Sequence, residues 1–300
     1  MTDERMTHAA AAIISSLAAT TAHAAPASVQ DYMSQPQAQA SARITYGPAP
    51  AQVVDLYLPK GRGPHPVVIL IHGGCYLAEY KGLAETSGIA ADLAQRGYAV
   101  WNVEYRKLGE AGAGYPGTFL DVADAVDRIR GEARRYHLST RRVVALGHSA
   151  GGHLALWAAA RANLPKSSPL WRAKPLKIRA VVSLGGIGDL EGQGEIFAGA
   201  CGPESIPKII GLTMRSNPYA DTSPAELLPT GARVVMISGE FDHVMPPATG
   251  QAYATRVRAS GDSAEAIAIP GAGHFDVVIP TTAAWKIVAD RLAAEIARLP

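Results

Sequence analysis

Ser149 lies in the run Gly147-His148-Ser149-Ala150-Gly151-Gly152, between the apolar Val143-Val144-Ala145-Leu146 and the helical pattern His153-Leu154-Ala155-Leu156-Trp157. This reads as a strand, a tight turn and a helix, with the serine at the turn. A Gly-x-Ser-x-Gly pentapeptide in that setting holds the hydroxyl out above a sheet edge. The free N–H groups opening the following helix favour negative charge there. Taken alone, the pentapeptide fits equally a serine capping an ordinary strand-to-helix turn. The nucleophile reading needs more, because a serine hydroxyl reacts poorly at neutral pH without a base, and the base needs an acid to orient it.

Both partners are found downstream, each just past a strand-like run. Val234 to Gly239 leads into Glu240-Phe241-Asp242, and Ala266-Ile267-Ala268-Ile269 leads into Pro270-Gly271-Ala272-Gly273-His274-Phe275. Loops at the carboxyl ends of strands are where open α/β sheets place their ligands. We assign Ser149 as nucleophile, His274 as general base and then acid, and Asp242 as the orienting carboxylate. Glu240 and Asp276 compete for that last role. Glu240 is still close to its strand, and Asp276 is too near His274 in sequence to turn back onto it. His65 and His137 read as surface residues, His243 faces away from Asp242, and His148 and His153 read as packing and positioning groups around the turn. No His/Cys/Asp cluster has zinc-ligand spacing, and the chemistry needs neither a metal nor an organic cofactor.

Acyl transfer also needs donors for the negative charge of a tetrahedral intermediate. Ala150 supplies one amide, and the loop His72-Gly73-Gly74-Cys75-Tyr76, after the strand Pro66 to Ile71, supplies the other. With the runs His72-Gly73-Gly74, Glu104-Tyr105-Arg106, Gly147 to Gly152, Asp242 and Gly273-His274, the chain resembles the α/β-hydrolases of the hormone-sensitive-lipase and kynurenine-formamidase type, the BD-FAE-like esterases. The resemblance covers roughly residues 43 to 298, and its order of Ser, Asp and His is the family's own. It implies that the amides of Gly74, Cys75 and Ala150 form the oxyanion hole and that His72 braces the loop. Cys75 replaces the third glycine of the usual His-Gly-Gly-Gly, which keeps a backbone donor but changes the shape of the acyl pocket. Arg106 reads as a structural ion-pair residue.

These loops must be positioned by alternating strands and helices, and the sequence predicts one α/β domain over residues 43–300. The expected architecture is the α/β-hydrolase fold: a mostly parallel central sheet, helices on both faces and a small cap-like excursion. Val53 to Leu58 predicts an antiparallel edge strand, Leu83 to Arg96 a helix, and Ala99 to Val103 a strand. A long helix is expected over Gly117 to Arg135, a strand over Ala180 to Leu184 and a closing helix over Ala283 to Leu299. Residues 185–229 form a long irregular stretch that reads either as a cap or as a helical pair glued to the domain. Tyr76, Ile187, Phe197 and Phe275 are the candidate pocket residues.

The two cysteines are Cys75, in the oxyanion loop, and Cys201, in the excursion above the same sheet edge. A disulfide between them would tie the two together and implies an oxidising compartment. Ala9 to Thr20 is apolar and is followed by the small-residue site Ala22-His23-Ala24, so residues 1–24 read as a signal peptide of a periplasmic or secreted protein. Residues 25–42, rich in Ala, Ser, Gln and Pro, read as a flexible lead-in. A net charge of +2 and the lack of a basic stripe interleaved with aromatics exclude a nucleic-acid partner. No later apolar run is long enough for stable membrane insertion. The partner expected is a small-molecule ester of small to medium size. An amide hydrolase, acting on an N-formyl arylamine or a peptide, is the alternative on the same machinery, and a catalytically silent binding module is the remote one.

Overall fold

The computed structural model describes residues 25–300, so the signal-peptide reading of residues 1–24 lies outside the described residues. The strands are β1 (Ala42–Thr45), β2 (Val53–Tyr57), β3 (His65–Ile71), β4 (Ala99–Val103), β5 (Leu138–His148), β6 (Ala180–Leu184), β7 (Arg233–Gly239) and β8 (Ala264–Ile269). They form one sheet in the order β1-β2-β4-β3-β5-β6-β7-β8. The β1–β2 and β2–β4 pairs are antiparallel, and the rest of the sheet is parallel. Val53 to Tyr57 is thus antiparallel as expected but is not the edge. β1 covers it, with Ile44 opposite Val54.

The helices are α1 (Val29–Met33), α2 (Leu83–Gln95), α3 (Gly117–Glu132), α4 (Ala150–Ala160), α5 (Leu190–Cys201), α6 (Ser205–Ile210), α7 (Pro247–Ala259) and α8 (Ala283–Ala297). A strand covered on both faces needs apolar side chains at every position. β3 is such a strand. Val67, Ile69 and Ile71 enter one core layer with Phe119 and Val126 of α3, Trp157 of α4 and Val257 of α7. Val68 and Leu70 enter the opposite layer with Ile89 and Leu93 of α2 and Trp285 and Leu292 of α8. Because β3 and β5 to β8 run parallel, their carboxyl ends open onto one edge of the sheet, where His72, Ser149, Asp242 and His274 follow.

One segment differs from the sequence reading. Residues 25–42, expected as a flexible lead-in, carry α1. Its start is a capping box: the Ser28 hydroxyl accepts from the Asp31 amide while the Asp31 carboxylate accepts from the Ser28 amide at 2.8 Å. Tyr32 of α1 is buried in the second core layer, and that burial, hidden in a polar composition, is the reason for the difference. Residues 185–229, read as a long irregular stretch forming either a cap or a helical pair, hold the helical pair α5 and α6. Asp189 caps α5 by accepting from the Gly192 amide at 3.0 Å.

Just past β4, Arg106 makes the structural ion pair expected of it, with Nε and Nη2 each 2.7 Å from the Asp121 carboxylate on α3. Asp121 is fully buried and also accepts from Gln52 at 2.7 Å. Removing the guanidinium would leave a buried carboxylate without its counter-charge. Arg106→Ala is therefore expected to lower unfolding stability by about 3 kcal/mol, read as a fall in the urea midpoint.

Candidate active site

Ser149 sits between the last residue of β5 and the first of α4, at φ 52° and ψ −120°. A left-handed φ on a serine costs of order 1–3 kcal/mol and persists only where the surroundings enforce it. Here they do. A β-carbon at Gly147 would collide with the carbonyl of Gly151, and one at Gly151 with the carbonyls of Ile71 and His72. The Ser149 amide donates to the Leu184 carbonyl at 2.8 Å, fixing the turn to β6.

Asp242 and His274 meet across their loops. His274 Nδ1 donates to Asp242 Oδ2 at 2.8 Å, and both side chains are buried. The other carboxylate oxygen accepts from the amides of Val244 and Met245 at 2.9 and 2.8 Å, so the acid cannot rotate freely. The competing acids are engaged elsewhere. Glu240 accepts from the Gly271 amide, and Asp276 accepts from the amides of Gly273 and Ala27. Sequence reasoning missed Gly185, at φ 50° on the turn after β6. A β-carbon there would come within 2.7 Å of Asp242 Oδ2 and 2.8 Å of His274 Nδ1.

Three buried histidines organise the surroundings. His72 Nε2 is 2.7 Å from Glu104 Oε1, its Nδ1 is 2.9 Å from the Gly73 carbonyl, and its ring stacks on Tyr105 at 4.3 Å. Burial raises the Glu104 carboxyl, but His72, Lys107 and the Tyr105 amide outweigh it and hold the group down at about 2. His148 lies 3.0 Å from the His274 carbonyl through Nε2; a carbonyl only accepts, so Nε2 carries the proton. Burial, followed by the nearby His274, pushes His148 well below its ordinary range, leaving it neutral beside the His274 ring at 4.5 Å. His153 Nε2 donates to the Thr222 carbonyl at 2.8 Å, so its Nδ1 accepts from the Tyr76 hydroxyl, also at 2.8 Å. Burial pushes His153 down to about 4.

The loop after β3 carries three residues in the left-handed region, Gly74 at φ 93°, Cys75 at 54° and Tyr76 at 62°. Cys75 is joined to Cys201, the last residue of α5, by a disulfide with a Cα–Cα distance of 5.3 Å. Among the described residues no hydrogen bond uses the amide of Gly74 or Cys75. A cavity of about 140 Å³ is lined by Gly74, Cys75, Ser149, Cys201, His274 and Phe275, together with α1 residues Val29 and Tyr32.

Of the pocket candidates, Phe275 lines this cavity, and Tyr76, Ile187 and Phe197 do not. All three are fully buried in the core layer under α4, where Tyr76 packs on Phe197 at 5.7 Å. The left-handed turn at Cys75 and Tyr76 sends the phenol inward to His153, which is why the correction falls there. The residues missed, Val29 and Tyr32, had one legible signal: the Ser28-x-x-Asp31 cap of a helix in an otherwise featureless stretch. Among the described residues no group of three or more His, Cys, Asp or Glu side chains is arranged to hold a metal ion.

The sheet order, the serine turn after β5 and the Asp–His pair in the loops after β7 and β8 define an α/β-hydrolase fold. A family model described as BD-FAE matches residues 54–257, and the chain belongs to that family. It is similar to Esterase LipC of Mycobacterium tuberculosis, 27% identical over 244 residues that make up 79% of this chain and 60% of that protein. It is also similar to the probable isoprenylcysteine alpha-carbonyl methylesterase ICMEL1 of Oryza sativa subsp. japonica, 27% identical over 250 residues, 79% of this chain and 57% of that one. The chain thus spans less than two thirds of the length of these relatives. Among solved structures, an inhibited esterase B from Lactobacillus rhamnosis shares the fold with a TM-score of 0.73 at 19% identity, over 89% of each chain. A Thermogutta terrifontis esterase 2 shares it with a TM-score of 0.70 at 18% identity, over 88% of this chain and 97% of that one.

The depressed His153 has a consequence for stability. Its folded value of about 4 lies below the ordinary imidazole value of 6.5, so the unfolded chain binds this proton first as pH falls. The stability conferred by neutral His153 is complete above about 6.5 and is lost progressively down to about 4, by up to roughly 3 kcal/mol. His153→Gln removes this titration. Urea midpoints of the two proteins are expected to converge as pH drops from 6.5 to 4, and parallel pH curves would contradict the assignment.

Proposed function

We propose that the protein is a serine carboxylic-ester hydrolase of small to medium esters, acting through Ser149, His274 and Asp242. The observation that carries this reading is the buried 2.8 Å contact of His274 Nδ1 with Asp242, on a histidine that lines one cavity with Ser149. With Nδ1 committed to the carboxylate, Nε2 is the nitrogen left to take the serine proton. The Ser149 oxygen attacks the ester carbonyl, and the charge that forms on its oxygen is met by the amides of Gly74, Cys75 and Ala150. His274 returns the proton to the departing alcohol. A water deprotonated by the same histidine then attacks the acyl-enzyme, and His274 returns that proton to the Ser149 oxygen as the acid is released. Asp242 holds the imidazole in the required tautomer and stabilises it when protonated. Neutral His148, against the His274 ring, adds no positive charge to oppose that protonation.

Residues 43–300 form the catalytic domain in this reading, with α5 and α6 as its cap. The Cys75–Cys201 disulfide and the small-residue site at Ala22-His23-Ala24 support a periplasmic or secreted location. N-terminal sequencing of material recovered outside the cytoplasm is expected to begin near Ala25.

The activity is tested by comparing turnover of p-nitrophenyl acetate and N-formylkynurenine. Faster turnover of the acetate is expected, and dominance of the formamide would replace the ester reading with the amide one. Ser149→Ala is expected to lower kcat by at least about a thousandfold and to abolish labelling by a fluorophosphonate. A wild-type protein that resists the label would instead be a binding module. Gly185→Ala is expected to lower kcat at least about tenfold, because its β-carbon displaces the Asp–His pair, with less effect on KM.

A further inference from the structure

Two of the walls of the cavity beside Ser149 are of different kinds. One is covalent, the Cys75–Cys201 disulfide between the loop after β3 and the end of α5. The other is α1, which precedes the first strand and contributes Val29 and Tyr32 to the lining. That helix is fastened to the histidine loop. The Ala27 amide donates to Asp276 at 3.0 Å, and the same carboxylate oxygen accepts from the Gly273 amide at 2.8 Å. Lys81 Nζ donates to the Met33 carbonyl at 3.0 Å from the other side. Between these ties the Tyr32 ring stacks on Phe275, the residue after His274, at 5.5 Å and 23°. Its hydroxyl is buried and has no hydrogen-bond partner among the described residues. The ring is therefore held by its shape against Phe275 and His148 and not by its polar end.

We propose that Tyr32 is the specificity-determining residue of this cavity, limiting the enzyme to esters of short acyl groups. The inference rests on the ester reading of Ser149 and adds to it which half of the substrate is restricted, and by what. A cavity of about 150 Å³ admits a molecule the size of benzene. The 140 Å³ here therefore holds roughly six heavy atoms, enough for an acetyl to butyryl group with its carbonyl. The half of the substrate seated in this small, half-open cavity is the acyl half. It stays bonded to Ser149 after the alcohol has left, whereas the alcohol must diffuse away before water can attack. The lining by Gly74 and Cys75, whose amides meet the carbonyl oxygen, places the acyl carbon at the same point.

The test uses two ester series on the full chain. One varies the acyl group from acetate through butyrate to octanoate with p-nitrophenol as a constant leaving group. The other varies the alcohol from methyl to octyl on a constant acetyl group. Wild type is expected to favour acetate and butyrate over octanoate. Tyr32→Ala is expected to raise the octanoate-to-acetate ratio of kcat/KM by about tenfold or more. Tyr32→Phe deletes no hydrogen bond and keeps the wall, so its ratio is expected to match wild type. Val29→Trp, at a position 39% exposed, narrows the same wall without disturbing the core and is expected to lower the butyrate-to-acetate ratio. It carries the test should Tyr32→Ala fail to fold. An unchanged acyl ratio in a folded Tyr32→Ala or in Val29→Trp overturns the proposal, as does a shift confined to the alcohol series, and either result leaves the ester reading standing. Wild type with no turnover of any ester overturns the ester reading and this proposal together.

Discussion

The site depends on how closely the turn after β5 passes the end of β3. The backbone at Gly151 runs against the carbonyls of Ile71 and His72, and the backbone at Gly147 runs against that of Gly151, leaving no room for a β-carbon at either. This crossing holds Ser149 at its left-handed φ. It also brings the serine turn alongside the loop that begins at His72. The serine turn after one strand and the Gly74-Cys75 loop after its neighbour are therefore placed by a single packing event. Residues further along the chain, in β6 to β8, only have to reach the same edge, and the parallel order of the strands takes them there.

Around this crossing, three buried histidines bridge the segments that meet there. Each ties together segments far apart in sequence: His72 to Glu104, His148 to the His274 carbonyl, and His153 to both Tyr76 and Thr222. Burial keeps His148 and His153 in the neutral form, so each presents one donor and one acceptor of fixed identity. The electrostatic result is as important as the mechanical one. Two imidazoles close to the site add no positive charge, and the buried Asp242 is the charge in direct contact with His274.

The sheet was legible because strands covered on both faces, such as β3, leave unbroken apolar runs, and β3, β5, β7 and β8 are each followed within a few residues by a chemically conspicuous one. Asp242 was separable from Glu240 by its distance past the strand end, and from Asp276 because that residue is too near His274 in sequence to turn back onto it. The pocket was not legible, for a physical reason. An apolar side chain satisfies a core and a cavity wall equally well, so nothing in the letters distinguishes Phe197, which packs under Tyr76, from Phe275, which lines the cavity. α1 was hidden differently. A five-residue helix is too short to show periodicity, and its burial rests on one tyrosine among small and polar neighbours. Gly185 carries no signal at all in sequence, since its need arises only once Asp242 and His274 have met.

The replacement of a third glycine by Cys75 is explained by the same geometry. The turn needs left-handed backbone at Gly74, Cys75 and Tyr76 in succession, and two side chains there cost roughly 1–2 kcal/mol each. A glycine would avoid part of that cost but would leave the loop with fewer attachments. Cys75 and Tyr76 supply attachments instead: a disulfide to α5 and a phenol bonded to His153. The Leu108 amide adds a 2.7 Å bond to the Tyr76 carbonyl, and the Ala78 amide returns one to the Leu108 carbonyl at 3.0 Å. A cross-link closing more than a hundred residues is worth on the order of 4–5 kcal/mol in the chain-entropy account, which exceeds the strain at either residue. The side chains that look out of place in a glycine loop are thus what hold its backbone strained, and in that shape the amides of Gly74 and Cys75 are not used by any carbonyl among the described residues.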